Sequence, residues 1–508
     1  MAPFLLDKLA TLLMTASIVL LLVLLLLVLI VWKEHRKYDH IPGPKRRSFL
    51  RGNFPEVEEK GKLLSELFLE HALVYGPIFV WWYFFWPIVV ISGPELIKHG
   101  LVTLNLPKAP SSYDSLAYIF GRHRFLGSGL VTQLNHQKWK SKRNQLNPAF
   151  HRSYLKDLVP QFNSIADALI SKLSKVADGK TVIKMVDEFQ KVTLDVIAKV
   201  AFSLDLHCLD DHNCKVHRNL SKCLEGYSES YYQPLLSLSL YKQSYQKTIS
   251  KSISVLRQCA KECIEQRLLA MEDSKKRPND ILQMILEAFD VNSKNSHAIM
   301  EELVDEFLTF FLAVLFLGQD TTANQLSFTL LETLLNEDIE NRIFQEVDNV
   351  IGGKESVEFF DIAKMQYLGQ TLKESLRKHP VVGGIARVTT KAEKFGQYLL
   401  PKGAKLHFSI FVSHHLPEFW DNPESFLPER FADNVKPSNF VYLPFSCGPR
   451  ICIGKVFSAI NATIIMARIF QKFKFQLVPG QTVQRDDNLT IFPKDGVLCT
   501  VKERISAI

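Results

Sequence analysis

The chain has 508 residues, 47% of them apolar and 22% charged, so it has material for a sizeable core; length alone permits one large domain or several. Its 61 basic and 53 acidic residues leave a net charge of +8, an excess suited to an anionic membrane surface or an acidic protein partner. No basic stripe interleaved with aromatic residues occurs, which excludes nucleic acid as a partner.

From Leu9 to Trp32, 24 residues carry no charge. At about 1.5 Å per residue, a helix of that length crosses a hydrocarbon core of roughly 30 Å. The run is longer than a signal-peptide apolar region and no convincing cleavage site follows, so residues 1–33 are predicted to form an uncleaved transmembrane signal-anchor. Lys33, Arg36, Lys37, Lys45, Arg46, Arg47 and Arg51 follow it and only Lys8 precedes it, which predicts a single pass with the bulk of the chain in the cytosol. A basic linker stiffened by Pro42 and Pro44 covers 34–51, ahead of one large domain over 52–508.

The apolar run IFVWWYFFWPIVVI, Ile78 to Ile91, is too short to span a membrane. It predicts two strands of a hairpin bent near Pro87, whose aromatic centre either touches the membrane or is simply buried. From about 154 to 380 the pattern is helical, and no proline occurs between Pro278 and Pro380. In a reducing compartment the eight cysteines are not expected to build a disulfide framework. His207, Cys208, His212, Cys214 and His217 match no paired metal clip, so a solvated loop is expected there. After Arg387 the texture changes to short strand-like runs, and a last helix follows Gly454.

Within the helical part, a pattern capped by Ser296 continues to about Asn336, roughly 60 Å of predicted buried central helix. The apolar run Phe307 to Leu317 is followed directly by Gly318-Gln319-Asp320-Thr321-Thr322. A buried Asp320 without a partner is unfavourable, so it is expected to face a polar cavity or a catalytic pocket.

The stretch FSCGPRICIG sets Phe445, Gly448, Arg450, Cys452 and Gly454 at fixed spacing ahead of an apolar helix. Its glycines allow a tight loop that turns backbone N–H groups toward one sulfur, and the helix N-terminus adds positive potential that favours a thiolate. The stretch closely resembles the haem-binding loop of the cytochrome P-450 family. LKESLRKHP, with Glu374 and Arg377, LPERF, with Arg430, WKSKR, with Trp139 and Arg143, and the Gly318–Thr322 motif resemble four further family elements in the same order. The resemblance implies a mainly α fold with a minor β part: a large helical domain around a buried haem, with small antiparallel sheets. It implies haem b with Cys452 as the axial thiolate ligand of the iron, which favours O–O cleavage. Trp139, Arg143, Arg387 and Arg450 become partners of the haem propionates, and Glu374, Arg377 and Arg430 a buried charge network supporting the loop. Thr321 becomes the hydroxyl donor on the oxygen-binding side, with Asp320 feeding it protons.

YDHIPGPKRRSFLRGN, KMQYLGQTLKESLRKHP, FQLVPGQ and PKDGVLCT resemble the sterol side-chain branch of the family, typified by cholesterol 24-hydroxylase. That implies a monooxygenase of an apolar sterol-like substrate at the endoplasmic reticulum membrane. Its electrons would come from NADPH through a membrane-bound flavoprotein reductase, met by the basic residues Lys138, Lys140, Lys142, Arg143 and Lys455. By the same resemblance the substrate pocket draws on Tyr113, Ala313, Gly318, Val382, Ile385 and Phe492. Two departures stand out. Val314 to Leu317 read as four extra residues, about one turn plus 40° and 6 Å on a helix, and Gly383 and Gly384 are smaller than the branch pattern. The rival readings are a monooxygenase of another lipid or of foreign apolar compounds and, from another class, a non-catalytic haem binder or sensor.

Overall fold

The apolar N-terminal run forms helix α1 (Ala2–Arg36), with Lys33, His35 and Arg36 in its last turn. The helix is long and apolar enough to cross a membrane, and its apolar window is not buried against the rest of the chain. The computed structural model describes residues 2–209, 214–232, 242–273, 280–288, 296–313, 319–432, 440–487 and 490–504. At the foot of α1, the ring of His35 lies edge-on to Trp82 at 4.3 Å, and its Nε2 is 2.8 Å from the carbonyl oxygen of Phe85. Arg46 covers the Trp82 ring at 4.5 Å.

The aromatic hairpin comprises β1 (Ile78–Tyr83) and β2 (Trp86–Ile91). The turn falls at Phe84 and Phe85 rather than at Pro87, which pairs with Trp82 inside the ladder. Proline is tolerated there because the pairing of β2 with its next neighbour begins at Ile88, so no donor is missed. All of β1 is buried. Helix α2 (Leu64–Tyr75) covers it, with Phe68 5.6 Å from Trp81 and 6.0 Å from Phe79. Within the aromatic centre Trp81 to Tyr83 are buried, Phe84 and Phe85 are half-buried and Trp86 is exposed.

Helices precede residue 154 as well: α3 (His136–Leu146) starts where the Asn135 side chain accepts the Lys138 N–H at 3.0 Å. Helix α4 (Met185–Phe202) is buried along most of its length. The long central pattern appears as α6 (Ser296–Ala313) and α7 (Gln319–Leu334), with α5 (Gln243–Asp273) packed against the former. Val314 to Leu317 and Gly318 lie outside the described residues, as do the side chains of Ala313 and Asp320. Every residue from Thr322 to Thr333 is buried, the signature of a helix enclosed on all sides.

Helix α8 (Gln366–Lys378) leads into β3 (Gly384–Val388), and β4 (Lys405–Ser409) leads into α9 (Ile410–His415). These strands complete a sheet ordered β1-β2-β4-β3, in which β2 and β4 run parallel and the other pairs antiparallel. The long apolar helix α10 (Lys455–Lys472) precedes β5 (Phe473–Leu477), β6 (Arg485–Asp487), β7 (Ile491–Pro493) and β8 (Leu498–Glu503). The architecture is mainly helical with small sheets, as expected.

Two expectations fail here. Cys208 and Cys214 are buried and joined as a disulfide, whereas His207 is exposed as a solvated loop requires and His212 lies outside the described residues. The compartment argument weighs only the average redox environment, whereas the fold brings these two sulfurs together. Lys142 is buried and bridges Glu302, at 2.9 Å, and Glu306 of α6, so it is unavailable to an acidic partner. Its neighbours on α6 are similarly locked: Asp305 accepts from Arg124 Nη2 at 2.7 Å, the Ser128 N–H at 2.7 Å and Arg257 Nη1 at 2.9 Å.

Candidate active site

The loop before α10 is shaped by its glycines and closed by its own backbone. Gly448 has φ +74°, and a Cβ there would lie 2.6 Å from the carbonyl oxygen of Leu101, so no other residue fits. The Cys452 N–H donates to the Phe445 carbonyl at 3.0 Å. The thiol lies deep in the molecule, yet the residue is exposed, because that surface is the wall of a cavity of about 490 Å³. Burial pushes the Cys452 thiol up, while the Gly454 N–H and the charges of Arg143 and Lys455 pull it down. Cys447, the other thiol of the loop, does not line the cavity, and burial pushes its pKa up to about 11.

Four cations converge on this cavity: Lys108, Arg143, Arg387 and Arg450. None is in a salt bridge among the described residues. Arg143 Nη1 donates to the Ile451 carbonyl at 2.8 Å, and its Nε to Asn147 Oδ1 at 2.7 Å. Arg450 stacks 4.3 Å over the buried Trp139 ring, and its Nε and Nη1 are buried without a hydrogen-bond partner among the described residues. Burial and the nearby Arg387 charge bring Arg450 down to about 10. Lys108, whose ammonium donates to the carbonyls of Leu130 and Val131, is pushed well below the usual lysine range by burial, then by Arg450 and Arg387. Such an array is unfavourable without an anion. Together with a cavity-facing thiol, these residues fit a haem: sulfur for the iron, cations for the propionates.

The structure brings Glu374, Arg377 and Arg430 together. Arg377 Nε and Nη2 donate to the two oxygens of Glu374, each at 2.8 Å, and both side chains are completely buried. Arg430 Nε lies 3.4 Å from Glu374 Oε1, and the Leu427 N–H donates to the same oxygen at 3.0 Å. Arg377 Nη1 donates to the His414 carbonyl at 2.9 Å, and His414 Nε2 accepts the Leu443 N–H at 2.8 Å. His414 therefore ties the network to the chain entering the Cys452 loop. Sequence reasoning missed it, because His-His in an apolar run carries no spacing signal. It missed Lys108 for a similar reason: LPKAP looks like ordinary surface.

Thr321 lines the cavity, and the Thr322 and Ser458 hydroxyls lie 3.2 Å apart, joining α7 to α10. Thr309 of α6 also lines it, with a buried hydroxyl that has no partner among the described residues. Among the residues expected at the substrate, Tyr113, Val382 and Ile385 are on the wall, and the Tyr113 hydroxyl accepts from Arg387 Nη1 at 3.3 Å. Phe492 is not; Ile491 occupies its place, a one-residue slip that reverses the face of β7. Asp320, Ala313 and Gly318 fall where side chains are not described.

A model of the cytochrome P450 family matches residues 42–502. The chain belongs to the cytochrome P450 family. Cytochrome P450 3A7 of Homo sapiens is 28% identical over 406 residues, 77% of each chain. Cytochrome P450 3A16 of Mus musculus is 28% identical over 458 residues, 87% of this chain and 86% of that one, and cytochrome P450 3A6 of Oryctolagus cuniculus 27% over 454 residues, 86% of each. As a member of this family the protein is a monooxygenase. The family binds haem iron through a thiolate, takes NADPH-derived electrons from a reductase and acts on lipophilic substrates.

Proposed function

We propose that this P450 is a membrane-anchored enzyme that hydroxylates the side chain of a sterol, with Cys452 as the iron ligand. The observation that carries the site is the Cys452 thiol on the wall of a large cavity whose cations have no carboxylates. In this reading Lys108, Arg143, Arg387 and Arg450, with Trp139, hold the propionates. Bound haem supplies the activation of dioxygen that puts one oxygen atom into an unactivated C–H bond. The chain's own residues do the rest. The Thr321 hydroxyl holds a proton at the cavity face of α7, and Asp320, one residue earlier, supplies it. Apolar walls such as Leu116, Leu130, Ile385 and Ile410 exclude water and take a rigid hydrocarbon. Glu374, Arg377 and Arg430 hold the loop.

Support for a sterol is the similarity of the four segments quoted above to the sterol side-chain branch. Support for a membrane site, at the endoplasmic reticulum with the 52–508 domain cytosolic, is the exposed apolar α1 and the basic residues after it. The exposed Lys138, Lys140 and Lys455, near the Cys452 loop, are the surface offered to an acidic reductase. A second reading, oxidation of another lipophilic compound, is supported by Gly383 and Gly384 on the cavity wall, which depart from the sterol-branch pattern. A reduced carbon-monoxide difference spectrum tests the ligand, and cholesterol titration of the iron spin state, followed by product analysis, tests the substrate. A thiolate-type band without a cholesterol-induced spin shift would discard the sterol and leave the second reading.

A further inference from the structure

The small wall at Gly383 and Gly384 is not empty space. A Cβ at Gly384 would lie 2.3 Å from Nε2 and 2.6 Å from Cε1 of His407, so the imidazole occupies the volume of the missing side chain. The register explains how it gets there. β3 and β4 pair Ala386 with His407 and Gly384 with Ser409, so all four side-chain positions lie on one face and the ring leans diagonally along it. His407 lines the cavity, with Phe68 of α2 edge-on at 5.3 Å, and no described residue hydrogen-bonds its ring. Three residues before Phe68, on the same face of α2, Ser65 also lines the cavity. Its hydroxyl is buried without a partner among the described residues, and a Cβ at Gly383 would lie 3.7 Å from its Cβ.

A neutral imidazole carries one donor and one acceptor, and a hydroxyl carries both. Leaving them unpartnered on a largely apolar wall, which also carries Asp487, is unfavourable unless a ligand or water supplies the bonds. We propose that His407, with Ser65, is a specificity-determining pair that recognises a hydroxyl or keto oxygen of an otherwise apolar substrate, and that Gly384 is small so that the imidazole reaches the cavity. Burial holds the ring neutral, with its pKa pushed down to about 4, so a neutral oxygen is preferred over a carboxylate. Gly384 is about 10 Å along β3 from Arg387, which separates this contact from the anion-binding cluster. The substrate is therefore held by a polar group at one end while an apolar part reaches the oxidised position.

The inference rests on the reading of the cavity as the site of a lipophilic substrate, and matched ligands separate its failure from that of the sterol assignment. The full-length haem protein is titrated with cholesterol and cholest-5-ene, with cholestan-3-one and cholestane, and with hexadecanol and hexadecane, following the iron spin state. At least one polar member is expected to bind about 10-fold tighter than its apolar match. His407→Phe should bring that ratio near unity and change the apolar member's affinity by less than about threefold, within one broken hydrogen bond. His407→Gln should keep part of the preference, Gly384→Ala should lose it by displacing the ring, and the thiolate-type carbon-monoxide band should persist in all three. A His407-dependent preference in another pair with the sterol pair silent sustains the inference and removes the sterol assignment. A preference that survives His407→Phe, binding without any polar preference, or no spin shift from any pair overturns it.

Discussion

Glu374→Gln is the perturbation that most directly separates a structural network from an incidental ion pair. An exposed helical pair three residues apart contributes a few tenths of a kcal/mol. Here Glu374 and Arg377 are both fully buried, and the carboxylate also faces Arg430 and the Leu427 N–H. Neutralising it leaves the Arg377 guanidinium buried without its counter-charge, a change of about 3–5 kcal/mol. That is a large share of the roughly 5–15 kcal/mol that holds a folded domain. With about 2.1 cal/mol/K per residue, a chain of 508 residues unfolds with an entropy near 1 kcal/mol/K, so the thermal midpoint should fall by about 3–5 °C. The strain also has a route to the cofactor, because Arg377 holds His414, His414 holds Leu443, and the next residues carry the carbonyl that accepts the Cys452 N–H. Haem content per purified chain, read from the thiolate-type carbon-monoxide band, should drop in parallel. Glu374→Leu combined with Arg377→Met should lose less than the sum of the single changes. A shift below 1 °C with full haem content would refute the structural role.

Other expected outcomes follow from the same geometry. Cys452→Ser should abolish the thiolate-type band, whereas Cys447→Ser should keep it, since that sulfur does not face the cavity. Lys108→Met should release haem to an acceptor apoprotein about 10-fold faster, as expected for one lost charge-assisted hydrogen bond, while making the haem-free chain no less stable. His379, His407 and His414 are held neutral chiefly by burial, with pKa values near 3, 4 and 3. Below the ordinary value of 6.5 the unfolded chain binds protons that the folded chain does not. Stability is therefore intact above pH 6.5 and falls toward pH 4 by up to about 1.4 kcal/mol per pH unit for each ring. Denaturant midpoints at pH 7.5, 6 and 5 check this, and a flat profile would contradict it.

What could be read from the sequence was whatever is fixed by local spacing. The Cys452 loop needs glycines at set positions, and the Glu374–Arg377 pair needs one helical turn, so both are visible in the chain. What depends on convergence was not visible. Lys108 meets Arg387 and Arg450 only because three separate segments surround one cavity. Lys142 sits in a run of lysines and arginines that looks solvated, yet α6 supplies two carboxylates to it. The hairpin turn was misplaced because proline ordinarily marks bends, while Phe84 takes a φ of 53° that its bulk disfavours. Phe492 was displaced from the pocket by Ile491 because a strand's face changes with every residue.

The cation cluster also bears on how the fold is completed. Lys108, Arg143, Arg387 and Arg450 come from four different segments; burial chiefly, and after it their like charges, push Lys108 and Arg450 below their ordinary range. In the haem-free chain this corner is self-repelling, and the segments carrying it gain from moving apart. An anionic ligand reverses the sign, since each cation then stabilises the arrangement that brings it in. The network built on Glu374 reaches the Cys452 loop through His414, while the cations are held by neutral carbonyls, the Tyr113 hydroxyl and the Trp139 ring and have no counter-charge among the described residues. The two supports are independent. Weakening the first should lower stability with or without cofactor, whereas removing a cation should lower stability only in its presence.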